Sequence, residues 1–470
     1  MKLRGEKARR LVMSKHSLSK AYYALFLLPV ALAVLSWSLF PQFAELVIVT
    51  VFNYEVTKQQ PPVLWSFATQ TLYAWYTFLF IGLSGTLMTA AWISTKKAEK
   101  KYKPRKRYPS ISFIIPAYNE EKTIQQCISS VFKSASRYFG VSEIIVVDDG
   151  SDDYTYEIAW ATIEINRKKY PNIRGKIVRH SANLGKIEAI KTGVNKALGE
   201  FVAIVDADSS WTSSTLQTLI NYVNAFPKTA VTGYVHPQDG ENPYVLLQQL
   251  EYSQGLGVFR CAQSLPKTVL VVSGAIGLYP AEALREILNQ KKIRSVTEDL
   301  EITLELHRKG LDVRYINAAR SRTWAPRSLS SLWRQRLRWF TGWLHNALDI
   351  HRDLLFNRKA SVSLWLLYSL IFDYGGALID LAALCALPFI FWFAPDRVFF
   401  LLNLLLFGLY AFVVSFVCLA VAFKFAYKRY SKMYLLMYLP FYPILRFVNV
   451  CARVASGVKY FLGDRGNWYS

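Results

Sequence analysis

Cysteine is scarce: the 470 residues hold five, Cys127, Cys261, Cys385, Cys418 and Cys451, none in a CxxC pair and two inside long apolar runs. That pattern excludes a disulfide framework and a cysteine-based zinc site. Histidine is nearly as rare, and His16, His180, His236, His307, His345 and His351 show no ligand spacing, so no transition-metal centre is expected. Acidic residues are in deficit, 33 against 56 Lys and Arg, which leaves a formal net charge of +23. Such an excess suits nucleic acid or an anionic membrane face, and the placement of the charge decides between them. Apolar surface, by contrast, is abundant: hydrophobic residues make up 52% and aromatics 15%, and mean hydropathy is +0.17. Disordered and collagen-like classes are thereby excluded, and several membrane crossings explain the composition better than large soluble cores.

Residues 1–20 carry Lys2, Arg4, Lys7, Arg9, Arg10, Lys15 and Lys20 against one acid, Glu6, and are expected to form a basic cytoplasmic N-terminus. Two transmembrane helices are expected within residues 21–95, from the uncharged runs Ala21 to Phe40 and Val63 to Thr95. The first run also suits a secretory h-region, but it lacks a small-residue cleavage site and is long for that role, which favours an uncleaved helix. The second ends in KKAEKKYKPRKR, whereas the intervening loop holds only Glu45, Glu55 and Lys58, so both basic ends belong in the cytoplasm. Residues 96–357 contain no later run of membrane length and suit one cytoplasmic domain. Residues 358–470 return to the membrane as two or three spans with interface helices. Ser361 to Ala394 is apolar despite Asp373 and Asp380, Val398 to Phe423 is uncharged, and Lys424, Lys428, Arg429 and Lys432 mark a cytoplasmic return. Met433 to Leu462, with Arg446, Arg453 and Lys459, fits either a helix facing a polar cavity or one lying in the interface. Positive charge thus flanks apolar helices, and a multi-pass protein of the cell membrane explains it without nucleic acid.

Within the soluble domain, ISFII at Ile111, EIIVV at Glu143, KIV at Lys176 and FVAIV at Phe201 alternate with amphipathic stretches such as Glu121 to Arg137 and Lys186 to Leu198. Nearly continuous apolar strands between helices predict a parallel sheet covered on both faces, with ligands bound beyond the carboxyl ends of its strands. The residues there are Pro116-Ala117-Tyr118-Asn119-Glu120, Asp148-Asp149-Gly150-Ser151 and Asp206-Ala207-Asp208. A DxD leaving a buried strand suits magnesium held by carboxylates and substrate phosphates. Each of these acidic pairs, taken singly, also suits an Asx turn or a helix cap.

In fixed order the chain presents IPAYNE, DDGS, Gly185-Lys186, VDAD, Thr297-Glu298-Asp299 and Gln335-Arg336-Leu337-Arg338-Trp339. On these motifs it resembles glycosyltransferase family 2, and through TED and QxxRW the membrane-embedded processive members that make hyaluronan, poly-N-acetylglucosamine, chitin or cellulose. The resemblance covers about Tyr108 to Asp353. It implies an α/β fold of the GT-A, Rossmann-like type inserted between transmembrane helices, a UDP-sugar donor, inversion to a β-linkage, and Mg2+ or Mn2+. By similarity, Ala117, Tyr118, Glu120, Asp148 and Asp149 hold the uridine, with Lys186 close to the nucleotide. Asp206 and Asp208 hold the metal on the diphosphate, Asp208 as direct ligand. Ser273-Gly274-Ala275 shapes the acceptor site, although a tight turn needing glycine explains the same residues.

Chemistry independent of the family name points the same way. A departing diphosphate needs cations such as Lys186 and Arg338, and an attacking hydroxyl needs a base, for which Asp299 is chosen, with Glu298 and Thr297 beside it. Thr297-Glu298-Asp299 also suits a helix start. Ser328 to Asp353 is predicted as an amphipathic interface helix on which Gln335, Arg338 and Trp339 share one face, with Arg336 beside them, toward diphosphate and acceptor. Two departures stand out: Thr323-Trp324-Ala325-Pro326 offers Trp324 where family members often have an acid, and Trp468 is at most part of a C-terminal gate. The favoured expectation is a polysaccharide synthase exporting its product past Asp373, Asp380, Arg446 and Arg453. The alternatives are transfer of one sugar to a lipid or lipid-linked acceptor, and a non-catalytic scaffold or transporter.

Overall fold

The computed structural model describes residues 83–101, 107–238, 241–356, 360–394, 396–426 and 433–465, with a few single positions between 42 and 74. The basic N-terminus, the expected first span, most of the second and Trp468 lie outside the described residues. The chain divides into two compact units, Met1–Ala90 with Ala382–Ala422, and Ala91–Leu381 with Phe423–Ser470.

In the second unit, β1 (Ile111–Ala117), β2 (Ser142–Asp148), β3 (Ile173–Arg179), β4 (Phe201–Ile204), β5 (Ser209–Trp211), β6 (Thr229–Gln238), β7 (Gly277–Pro280) and β8 (Asp312–Trp324) form one sheet. Their order is β3-β2-β1-β4-β7-β6-β8-β5. Every residue of β1 and β2 is buried. Helices α1 (Ile124–Ala135) and α2 (Thr155–Lys169) cover one face, laying Ile128, Phe132, Ala159 and Ile163 in the core with Phe113, Ile115, Ile144 and Val146. Helix α3 (Lys186–Asn195) approaches so closely that a Cβ on Gly193 would lie 2.4 Å from Ile114 Cγ2. That contact sets the start of α3, and with it Lys186, over the carboxyl ends of the strands.

β1 runs parallel to β2 and β4, and β2 to β3, as the apolar runs predict. The remaining half corrects the all-parallel expectation. β7 is antiparallel to β4 and β6, β5 is antiparallel to β8, and only β6 and β8 pair in parallel. Strands β5 and β7 are only three and four residues long, and β8 alternates between covered and open positions, so none presents a long apolar run.

Four further helices bear on the site: α4 (Pro243–Gln254), α5 (Glu298–Arg308), α6 (Leu329–Leu344) and α7 (Tyr442–Phe461). A capping box of Ser328 and Ser331 starts α6. The expected single helix 328–353 is interrupted after Leu344 by a π-helical turn, His345–Ile350. Among the described residues two helices are long and apolar enough to cross a membrane, Ser361–Trp392 and Arg397–Ala422. The ambiguous segment Met433 to Leu462 is not a third. It is a 3-10 helix, Met433–Phe441, followed by α7, whose Leu445, Asn449, Ala452, Ser456 and Tyr460 are buried while Ile444, Phe447, Val458 and Phe461 are exposed.

Gly150, in the turn after β2, has φ +72°, and a Cβ there would lie 2.5 Å from the carbonyl carbon of Ala182. Both conformation and space demand glycine, because a side chain would push away the loop that leads to Gly185. Gly150→Ala is therefore expected to cost about 1–2 kcal/mol from the left-handed conformation alone. An unchanged thermal midpoint of the purified protein would contradict this.

Candidate active site

The turns leaving β1 and β2 are stitched together. Asn119, at φ +56°, donates its N–H to Ser151 Oγ at 3.0 Å and accepts from Asp152 N at 3.0 Å. Glu120 N donates to Thr155 Oγ1 at 2.7 Å. Asp148 is fully buried and ion-paired with Arg179 Nε at 3.0 Å. Asp149 braces the next loop: His180 Nδ1 lies 2.6 Å from Oδ1, which also accepts from Leu184 N, and Oδ2 accepts from Gly185 N at 2.8 Å. A cavity of about 440 Å3 opens here, lined by Gly150, Ser151, Asp152, Arg179, His180 and Ser181. The motif reading passed over Arg179 and His180; their only signal was position, at the end of the predicted strand KIV.

Carboxylates crowd the adjoining edge. Lys186 Nζ lies 2.7 Å from Asp206 Oδ1 and 2.8 Å from Glu298 Oε1, so one ammonium joins the DxD and TED motifs. Burial opposes its charge, but these two carboxylates outweigh burial and raise its pKa. Asp208 accepts from Ser209 Oγ at 2.9 Å, and Thr323 Oγ1 lies 3.3 Å from both its oxygens. Thr323, which the sequence reading passed over beside Trp324, is therefore part of the site. Gly274 lies under Asp206: its carbonyl accepts Asp206 N at 3.0 Å, and a Cβ would approach both carboxylate oxygens to 2.7 Å. Close approach rather than turn conformation explains this glycine. Ser273 precedes it with its N–H 3.3 Å from Thr232 Oγ1, and Trp211 Nε1 holds Ala275 O at 3.0 Å.

Burial raises the pKa of Asp208, and the negative charges of Asp206 and Glu120 raise it further. Glu120 is raised chiefly by burial as well. Among the described residues no three His, Cys, Asp or Glu side chains form a ready ligand set. Two crowded carboxylates still fit a magnesium- or manganese-sized ion that takes its other ligands from phosphate and water. Asp299, at the start of α5, has its carboxyl raised by burial and by Glu298 against the opposing charges of Lys186 and Arg260. Arg260, in the π-helical turn Gly255–Arg260, was missed in the sequence because no motif marks it.

The QxxRW helix divides its arginines. Arg336 is 2% exposed, pairs with Glu251 Oε2 of α4 at 2.5 Å and stacks 4.5 Å from the Trp339 ring centre. Glu251 Oε1 accepts from Asn449 of α7 at 2.8 Å, so one carboxylate joins three helices. Gln335, Arg338 and Trp339 are half-buried on α6. Thr297 lies 8% exposed beneath this helix, with its hydroxyl 3.0 Å from Asn346 Nδ2.

Family models match along this framework: glycosyl transferase family 2 over residues 112–288 and glycosyl transferase family group 2 over residues 201–427. The poly-beta-1,6-N-acetyl-D-glucosamine synthases of Staphylococcus epidermidis and Staphylococcus aureus are 31% and 29% identical over 233 residues, 49% of this chain and 54% of each relative. The chain thus spans about half the length of the curated relatives it matches. The solved mannosyltransferase PcManGT from Pyrobaculum calidifontis, in complex with GDP-Man and Mn2+, aligns over 82% of this chain and 99% of that one, at TM-score 0.47 and 18% identity. Strand order, paired acidic turns and family models together define a GT-A transferase domain. Residues 112–288 thus carry a glycosyl transferase family 2 domain.

Lys186 lowers the pKa of both Asp208 and Asp299 against burial. In Lys186→Met those carboxyls rise further above their unfolded values, so they oppose folding most at high pH and less as protons bind. The metal-free melting temperature of the variant, relative to the unaltered protein, is expected to increase from about pH 8 to about pH 6. Parallel stability curves would show that this lysine does not balance the cluster.

Proposed function

We propose that the protein is an inverting synthase that elongates a β-linked polysaccharide from a UDP-sugar at the cytoplasmic face of the cell membrane. The observation that carries this reading is Lys186 bridging Asp206 and Glu298, which brings the nucleotide, metal and acceptor motifs into one cleft. The names of the staphylococcal relatives favour UDP-N-acetylglucosamine, with UDP-glucose next.

The polar cavity beside Arg179 and His180 suits the uridine, with Ala117, Tyr118, Glu120 and Asp148 around it and Asp149 holding its wall. Asp208 and Asp206 would hold Mg2+ or Mn2+, which when bound offsets charge on the diphosphate. Lys186 and Arg338 supply further positive charge to the leaving group. Asp299 takes the proton of the acceptor hydroxyl as that oxygen attacks the anomeric carbon opposite the departing diphosphate, inverting it. A carboxyl raised by burial is a better base than an exposed one. Trp339, backed by Arg336, offers a flat face to the acceptor sugar, and Gly274 leaves the Asp206 carboxylate its place beside that site.

The exposed apolar face of α7 and the two apolar helices support a multi-pass membrane location. Asp380 pairs with Arg446 at 3.0 Å, and this polar pair, with Asp373 and Arg453, is proposed to line the start of an export path.

The test is turnover of a UDP-sugar panel by purified protein, with the product sized before and after specific glycanases. A long glycanase-sensitive product is expected with Mg2+ or Mn2+, and none after chelation. Asp299→Asn is expected to lower turnover by about 100-fold or more, and Asp208→Ala likewise, with folding retained. A single sugar added to lipid would select the lipid-acceptor alternative, and unchanged turnover in both variants would overturn the site assignment.

A further inference from the structure

Thr297 stands at the N-cap of α5, yet its side chain makes no cap hydrogen bond to that helix. The hydroxyl is spent elsewhere. Asn346 Nδ2 lies 3.0 Å from Thr297 Oγ1, 2.7 Å from Ser295 Oγ and 3.0 Å from Gly342 O, three acceptors shared by its two N–H groups. The two hydroxyls lie 3.0 Å apart, and Asn346 itself is 0% exposed. Gly342 completes the joint, because a Cβ there would approach Thr297 Oγ1 to 2.6 Å. The loop before α5 is already shaped from its own helix, where Glu301 Oε2 accepts from Arg294 N at 2.9 Å and Ser295 N at 2.7 Å. What that leaves to be set is where the shaped loop sits against α6. Asn346 stands in the π-helical turn His345–Ile350, a local geometry often found where a functional side chain must be aimed.

We propose that Asn346 is a positioning residue for the transfer reaction. Its amide docks the TED loop on α6 and thereby fixes Asp299 relative to Arg338 and Trp339, which lie one turn before Gly342. A directional polar joint defines one placement, whereas an apolar contact of equal area would allow the loop to slide. The proposal rests on Asp299 as the base, as read above.

The test is steady-state kinetics of the full chain as Asn346→Ala, Thr297→Val, their double variant and Thr297→Ser, with Asp299→Asn alongside. Misplacing a reacting group by a fraction of an ångström to an ångström predicts a loss in kcat of about tenfold or more in both single variants. Donor KM should stay within about twofold, because uniform binding is untouched. The double variant should be no worse than Asn346→Ala, and Thr297→Ser, which keeps the accepting oxygen, should recover turnover relative to Thr297→Val. Should Asn346→Ala fail to fold, the near-isosteric Thr297→Val carries the test. Normal kcat in the single variants beside an inactive Asp299→Asn, or a rise in donor KM alone, would overturn this proposal only. An active Asp299→Asn would overturn the base assignment and the proposal with it.

Discussion

Asp206, Asp208, Glu298 and Asp299 converge on one edge of a buried sheet with Lys186 between them, and the surrounding architecture serves that excess of negative charge. Like charges brought together out of water are costly, so such a cluster persists only where the fold over-determines it and a ligand relieves it. The over-determination is visible. β4 ends two residues before Asp206, Gly274 has no side chain to displace its carboxylate, Gly193 lets α3 settle so that Lys186 reaches across, and Thr323 of β8 reaches Asp208 from the far side. The relief proposed above is a divalent ion with a diphosphate, which is the chemistry a sugar-nucleotide transferase requires.

Legibility in the sequence followed chain locality. β1, β2 and β4 were readable because both faces are covered, which forces unbroken apolar runs such as ISFII and EIIVV, whereas the edge strand β3, largely open to solvent, was marked only by the short run KIV. The acidic turns were readable because each follows such a run. β5, β7 and β8 were not, since very short strands and the mixed pattern of β8 carry little periodic signal, and β6 is interrupted at Gly233, where its pairing with β8 shifts register. Partnerships across long separations were equally hidden. Nothing near Arg336 announces that Glu251 and Asn449 close a three-helix joint with it, and nothing near Thr297 announces Asn346. The prediction that Asn346→Ala lowers kcat while sparing donor KM arises from this second kind of contact, which only the folded chain reveals.

Helix α7 illustrates how one segment carried two compatible readings. Its arginines argued against a simple span, and its apolar residues argued against a soluble helix. Both are satisfied by burying Asn449 and Ser456 beside α6, placing Arg453 4.5 Å from the Phe340 ring centre, and leaving Ile444, Phe447 and Phe461 exposed. The polar helix faces thereby meet each other while the apolar faces remain exposed, as the membrane location proposed above requires.

If the carboxylate cluster is relieved jointly by metal and diphosphate, the two must bind with positive coupling, each raising affinity for the other by the same factor. The most direct measurement is calorimetric titration of UDP into the purified protein with and without Mn2+, repeated on Asp208→Asn. The account predicts that Mn2+ tightens UDP by about tenfold or more, a coupling of about 1.4 kcal/mol or greater, and that Asp208→Asn abolishes the gain. Equal UDP affinity with and without the ion would contradict it.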